Sequence, residues 1–367
     1  MSVIIGSLGN ATFRQPLPAA SRAVEGTPCL EQVTLSGGPT PPRVTPDASL
    51  AASLVGGSLA GPIVIGHRGA SGYLPQHTLA AYELAIKQGA DFIEPDLVMT
   101  KDRVLITRHE NEISLTTDVA ARPEFADRKT TRQIDGKPVT GWFTEDFTLA
   151  ELKSLKVTGA PHDGPEFRIA TFEEVLDLVD RTGRKVGLYP ETKHPTHFDQ
   201  LGLSLEEPLV QALRRRGYEG AEAPIFIQSF EVGNLKELNQ MTDLRLVQLV
   251  DTEGCPADSP VPYSQMLTPA GLAEVATYAD GIGPWKEQVR GTSLVRDAHS
   301  HGLLVHPYTF RAENEHLPAE LRSADPAGLG DLESEVRSYL EAGVDGVFAN
   351  HPDLAVRARD KFLQSRS

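Results

Sequence analysis

Pro62-Ile63-Val64-Ile65-Gly66-His67-Arg68-Gly69-Ala70 and, further on, Phe92-Ile93-Glu94-Pro95-Asp96-Leu97-Val98 are short apolar runs that end in charged residues. Between them Thr78–Gln88 has helical periodicity, opened by a threonine suited to accept backbone hydrogen bonds. A strand, a helix and a second strand of this length form a parallel unit joined by a crossover.

The unit recurs outward along the chain. Further strand candidates are Val104–Thr107, Lys185–Tyr189, Ile225–Gln228, Arg245–Val250, Gly281–Gly283, Leu303–His306 and Gly346–Phe348. Helical patterns lie between them, at Leu149–Leu155, Phe172–Asp180, Leu205–Arg216, Val232–Asn239, Pro269–Thr277, Ser293–His299 and Leu332–Glu341. Several strands are apolar on both faces, as in Ile225-Phe226-Ile227, which fits parallel strands covered on both sides. The expected fold is therefore α/β, an irregular TIM-type (β/α)8 barrel spanning 61–367.

Two irregularities stand out. Lys101-Asp102-Arg103 is too short to hold a crossover helix, and the strand candidates number one more than a barrel uses. Asn111–Asp146 is polar and follows a strand end, so it reads as an insertion over the barrel mouth. Residues 1–60, rich in Gly, Pro, Ser and Thr, read as an irregular leader.

Composition narrows the partners. Lys and Arg number 35 against 50 Asp and Glu, a net charge of −15 that opposes nucleic acid and anionic membranes. No apolar run reaches the ~18 residues of a membrane span, so stable insertion is not expected. Cys29 and Cys255 are compatible with one disulfide or none. A small anionic substrate held by local cations or a metal fits this balance.

The chemistry gathers at strand ends, where barrel active sites are built. His67 and Arg68 follow the first strand. Glu94 and Asp96, two apart, share a face of the second. If that face is interior, two buried carboxylates repel unless a hard divalent cation lies between them. His109 follows the third candidate strand; Glu191 and Lys193, again on one face, follow the fourth and supply a third carboxylate and a cation for phosphate. Each residue alone is commonly structural. Charged residues on four successive strand ends point to a site.

The run His67-Arg68-Gly69-Ala70-Ser71-Gly72-Tyr73-Leu74-Pro75-Gln76-His77-Thr78 resembles the signature of glycerophosphodiester phosphodiesterases. Glu94-Pro95-Asp96-Leu97-Val98-Met99-Thr100-Lys101-Asp102, Tyr189-Pro190-Glu191-Thr192-Lys193, Ile227-Gln228-Ser229-Phe230, His306-Pro307-Tyr308-Thr309 and Gly346-Val347-Phe348-Ala349-Asn350-His351-Pro352 extend the likeness from about Pro62 to the C-terminus. Phe143–Leu149 and the insertion before it resemble the larger bacterial, periplasmic-type subgroup. There are departures: Pro95 stands where Gln or Phe is common, Glu110 where Asp is, and Asn350-His351-Pro352 in place of Thr-Asp-x-Pro.

The resemblance implies hydrolysis of a glycerophosphodiester to glycerol 3-phosphate and an alcohol. It implies one divalent cation, Ca2+ or Mg2+, on Glu94, Asp96 and Glu191. Arg68 and Lys193 would bind the phosphate, with His67 as general base and His109 as general acid. Trp285 is a candidate wall of the glycerol or head-group pocket; His77 and His194 are expected to orient neighbours or cap locally. A related barrel phosphodiesterase acting on lysophospholipid, phosphoinositol or teichoic-acid-type substrates is the alternative. The subgroup implies a periplasmic or extracellular location; no signal peptide is recognised in this chain, so either the export signal is missing from it or, as the alternative, the protein is cytoplasmic.

Overall fold

The computed structural model describes residues 61–159 and 167–366; the leader, with Cys29, lies outside them. Thirteen strands are present among these residues. They are β1 (Ile63–His67), β2 (Phe92–Glu94), β3 (Asp96–Met99), β4 (Leu105–Thr107), β5 (Thr130–Ile134), β6 (Lys137–Gly141), β7 (Gly187–Leu188), β8 (Glu191–Thr192), β9 (Phe226–Ser229), β10 (Arg245–Val250), β11 (Gly281–Pro284), β12 (Leu304–Val305) and β13 (Gly346–Ala349).

Parallel pairing runs β13-β1-β2-β7 and β12-β11-β10-β9-β8-β3. The two arcs are joined because β2 with β3, and β7 with β8, are single barrel staves broken at Pro95 and at Tyr189-Pro190. Backbone bonds Asp345 N to Val305 O (3.0 Å) and Phe348 N to Pro307 O (3.2 Å) close β12 onto β13. The result is the expected eight-stave parallel barrel with helices outside.

One expectation is corrected. Val104–Thr107 is not a barrel strand: β4 pairs antiparallel with β3, Leu97 opposite Thr107 and Met99 opposite Leu105. The turn Lys101-Asp102-Arg103 only reverses the chain, with Arg103 in the left-handed region at φ 62°. Pro95 is the reason the stave can leave the sheet here, since it has no N–H to donate. Beyond it β3 abandons β1 and pairs with β4 and β8. His109 therefore reaches the rim on a returning hairpin rather than on a stave.

The insertion carries the β5–β6 hairpin and three 3-10 turns, Val119–Ala121, Pro123–Arg128 and Thr144–Asp146. Among the described residues no helix is long and apolar enough to cross a membrane.

The barrel interior has its own small core. Ile65, Phe92, Tyr189, Phe226, Val247, Leu304 and Phe348 pack together, with Tyr189 stacked on Phe226 at 4.9 Å. Each such side chain contributes roughly 1.5–3 kcal/mol on burial. Two residues further along five of these staves the same face is polar: His67 above Ile65, Glu94 above Phe92, Glu191 above Tyr189, Gln228 above Phe226 and Asn350 above Phe348. The apolar plug thus forms the floor of a polar cup at the C-terminal rim.

Behind β1 the chain turns sharply, and Gly69 sits there at φ +84°. A Cβ at that point would lie 2.5 Å from the Ala81 carbonyl carbon. Gly69→Ala is expected to cost at least about 1–2 kcal/mol from backbone strain alone. Thermal unfolding checks this, and an unchanged midpoint would refute it.

Candidate active site

Strand register sets the level of each rim residue. His67 lies opposite Glu94, Asp96 opposite Glu191, and Glu191 opposite Gln228. The carboxylates of Glu94, Asp96 and Glu191 are all buried and each offers an oxygen within 4.8 Å of the others. Burial, then the Asp96 charge, pushes Glu94 well above its ordinary value, and burial pushes Glu191 up to about 8 despite Lys193. Burial also works against ionising Asp96, but His77 and Arg68 outweigh it and hold Asp96 well below the usual range.

Asp96 Oδ1 is buried with no hydrogen-bond partner among the described residues. An unsatisfied carboxylate oxygen aimed among two other carboxylates is the fit expected of a divalent-cation site with oxygen donors. These three residues would hold the cation.

The remaining contacts fix these ligands. Arg68 N donates to Glu94 Oε2 at 2.7 Å, and Gln228 Nε2 to Glu94 Oε1 at 3.3 Å. His77 Nε2 lies 2.9 Å from Asp96 Oδ2, while its Nδ1 lies 2.8 Å from the Tyr82 hydroxyl. Burial first, then the charges of Arg68 and Arg108, holds the His77 pKa down to about 3 against Asp96. A neutral ring with one donor and one acceptor nitrogen satisfies both contacts. His77 is thus more than a local cap: it holds Asp96 in place, as outer partners of metal ligands would.

The cations line one side. Arg68 Nε is 3.3 Å from Asp96 Oδ2 and Arg68 Nη1 donates to Gln76 Oε1 at 2.9 Å. Lys193 Nζ is 2.9 Å from Glu191 Oε1 and 3.5 Å from His109 Nε2. Arg311, at the end of the seventh stave, has no carboxylate partner within ion-pair distance among the described residues, and its charge acts on His67.

The two imidazoles differ in their partners. His67 Nδ1 lies 2.7 Å from Asn350 Oδ1, a neutral amide. His109 Nδ1 lies 2.7 Å from Glu110 Oε1, a carboxylate. Burial, Arg68 and Arg311 lower the His67 pKa well below 6.5; burial, Arg68 and Lys193 lower that of His109 to about 4.

The family model for the glycerophosphoryl diester phosphodiesterase family matches residues 67–354. The chain belongs to this family. A glycerophosphodiester phosphodiesterase of Arabidopsis thaliana is 38% identical over 79% of this chain and 83% of its own length. One of Haemophilus influenzae is 34% identical, covering 80% and 88%. A crystal structure of a glycerophosphodiester phosphodiesterase from Agrobacterium tumefaciens has a TM-score of 0.56 at 19% identity, covering 81% and 99%. It shares the fold.

In this phosphodiesterase-family barrel, His67, Arg68, Glu94, Asp96, His109, Glu191 and Lys193 converge on one rim. Trp285, which follows the sixth stave, is half-buried edge-on to Tyr308 at 5.7 Å, and Tyr308 meets Phe230 at 6.0 Å. Lys193 Nζ lies 5.6 Å from the Phe230 ring centre, which links this aromatic row to the cations. Asn350, Gln228 and Arg311 join the site without having been singled out by sequence. Asn350 and Gln228 carried one available signal, their place two residues beyond an interior aromatic.

Proposed function

We propose that the protein hydrolyses glycerophosphodiesters to glycerol 3-phosphate and an alcohol, with His67 as general base and His109 as general acid. The observation that carries this reading is the position of Arg68. It follows His67 directly in the chain and its guanidinium contacts Asp96, while Lys193 lies 2.9 Å from Glu191 and 3.5 Å from His109 Nε2, so a phosphate bound by the two cations lies beside the carboxylates and near the two imidazoles. Arg68 offers a planar fork to phosphate oxygens and Lys193 a point charge.

The partners of the two rings support the role of each. The Asn350 oxygen accepts from His67 Nδ1–H, leaving Nε2 with its lone pair free to take a proton from water or the glycerol 2-hydroxyl. The Glu110 carboxylate on His109 favours the imidazolium that a general acid needs to protonate the leaving alkoxide. A bound phosphodiester anion offsets Arg68 and Lys193, which hold the His109 pKa down in the substrate-free protein.

We assign calcium or magnesium to the three carboxylates, an all-oxygen donor set. Such a cation, when bound, polarises a non-bridging phosphate oxygen and offsets the charge that develops on it. The row Trp285, Tyr308 and Phe230 forms an apolar wall for the glycerol or the departing alcohol.

Lysophospholipid substrates are disfavoured by the described surface, whose large exposed apolar residues number four, Leu115, Leu201, Val261 and Leu329. A diester panel tests both readings. Glycerol 3-phosphate release from glycerophosphocholine and glycerophosphoethanolamine should exceed that from lysophosphatidylcholine, vanish with EDTA, and return with calcium or magnesium. Hydrolysis that survives EDTA, or that favours the lysolipid, would overturn the proposal.

A further inference from the structure

We propose that Glu110, His194 and Asp135 form a positioning chain that holds the His109 ring for proton donation, with the β5–β6 hairpin as its outer anchor. The inference rests on the reading of His109 as general acid.

The geometry is a continuous line of contacts. From His109 Nδ1 it passes to Glu110 Oε1 at 2.7 Å, from Glu110 Oε2 to His194 Nε2 at 3.2 Å, and from His194 Nδ1 to Asp135 Oδ2 at 2.7 Å. Glu110 uses one oxygen on each imidazole.

Both ring nitrogens of His194 face carboxylates, so both contacts are hydrogen bonds only when the ring carries two protons. Burial opposes that charge, but Asp135 and then Glu110 outweigh it and push the His194 pKa up to about 10. Charges therefore alternate along the line: Asp135 negative, His194 positive, Glu110 negative, and His109 at the end. His194 holds Glu110 ionised and oriented, and Glu110 in turn fixes which His109 nitrogen faces the site. With Nδ1 bound to Glu110, Nε2 points toward Lys193 and the phosphate position.

The backbone indicates that this link is enforced. His194 lies in the left-handed region at φ 50°, a conformation that costs a non-glycine residue about 1–2 kcal/mol, whereas the φ of 47° at Asp135 is what the two-residue Asp135-Gly136 turn of the hairpin requires. Residues 110, 135 and 194 come from the β4 end, the β5–β6 tip and the β8 end, which no local turn would bring together. A plain surface staple for the hairpin would need His194 and Asp135 alone. The Glu110 bridge onto a catalytic imidazole is what such a staple leaves unexplained.

The test separates proton donation from stability. In the metal-loaded full chain, kcat and KM are measured for His109→Ala, Glu110→Gln, His194→Gln and Asp135→Asn on two diesters. Glycerophosphocholine has a poor leaving group that needs a proton; the p-nitrophenyl ester of glycerol phosphate has one that does not. Glu110→Gln should lower kcat on glycerophosphocholine by about 10–100-fold, and His194→Gln and Asp135→Asn by several-fold, with KM within about twofold. On the nitrophenyl ester all should stay within about threefold of the parent. Asp135→Asn keeps the shape and suits a left-handed turn, so it guards against a misfolded His194 variant.

If His109→Ala shows the leaving-group difference while the three chain variants lower both esters equally, or change only KM or melting temperature, the chain is a staple and the inference falls. If His109→Ala itself slows both esters equally, the acid assignment fails, and the chain's proposed purpose with it.

Discussion

Replacing His67 with alanine is expected to lower kcat on a glycerophosphodiester by about 10²–10⁴-fold. The ring stands on the interior face of β1, directly above Ile65, and is only 6% exposed. Its Nδ1 is occupied by Asn350, so Nε2 is the nitrogen available to substrate. The folded state loses little, because the ring's described contacts are one hydrogen bond and an edge contact to Phe348 at 6.4 Å. One such bond is worth about 1 kcal/mol. The variant should therefore melt close to the parent while turning over almost nothing. Unlike the His109 variant, it should slow the nitrophenyl and choline esters alike, since a base acts before the leaving group matters. Near-native turnover would remove His67 from the mechanism.

Much of this site was legible because barrel staves have a period of two. Ile65 then His67, Phe92 then Glu94, and Tyr189 then Glu191 each place a charged group one pleat above an apolar floor, and register does the rest. Asn350 obeys the same rule above Phe348, yet sequence presented it only as a departure from a family pattern. Its partner His67 lies 283 positions away. Distance along the chain hides hydrogen bonds that register reveals.

The hairpin strand Leu105–Thr107 shows the opposite failure. Its composition is that of a stave, and what excludes it is the three-residue turn before it, too short for any crossover. His77 and His194 were harder still. Their rings contact Asp96 and Glu110, and neither helix-start nor loop chemistry announces which carboxylate a ring will meet.

Stripping the metal should make stability strongly dependent on pH, in a direction set by the buried acids. Glu94 is pushed well above its ordinary 4.5 and Glu191 up to about 8, burial being the main cause for each. Between about pH 4.5 and 8 these two carboxyls therefore bind more protons in the ion-free native state than in the unfolded chain, and their contribution to stability falls as pH rises through that window. Asp96 has the opposite sign, since its pKa is lowered: its contribution is present above the ordinary 3.8 and lost only as pH falls well below that. It is constant across the window and does not offset the trend.

A divalent cation on these three carboxylates would take the place of those protons, so the metal-loaded protein should hold its stability where the EDTA-treated one loses it. The gap should be on the order of a few kcal/mol at pH 8–9, or roughly 5 °C or more in melting temperature, and small at pH 5. Glu191→Gln should flatten the EDTA curve, because the amide has no proton to lose. Melting curves at pH 5, 7 and 9, with EDTA and with calcium or magnesium, decide the matter. A metal-induced shift of equal size at every pH would mean that these carboxylates are not what the ion neutralises. The three acids would then be a hydrogen-bonded structural knot, and the proton transfers assigned to His67 and His109 would take place beside a phosphate held by Arg68 and Lys193 alone.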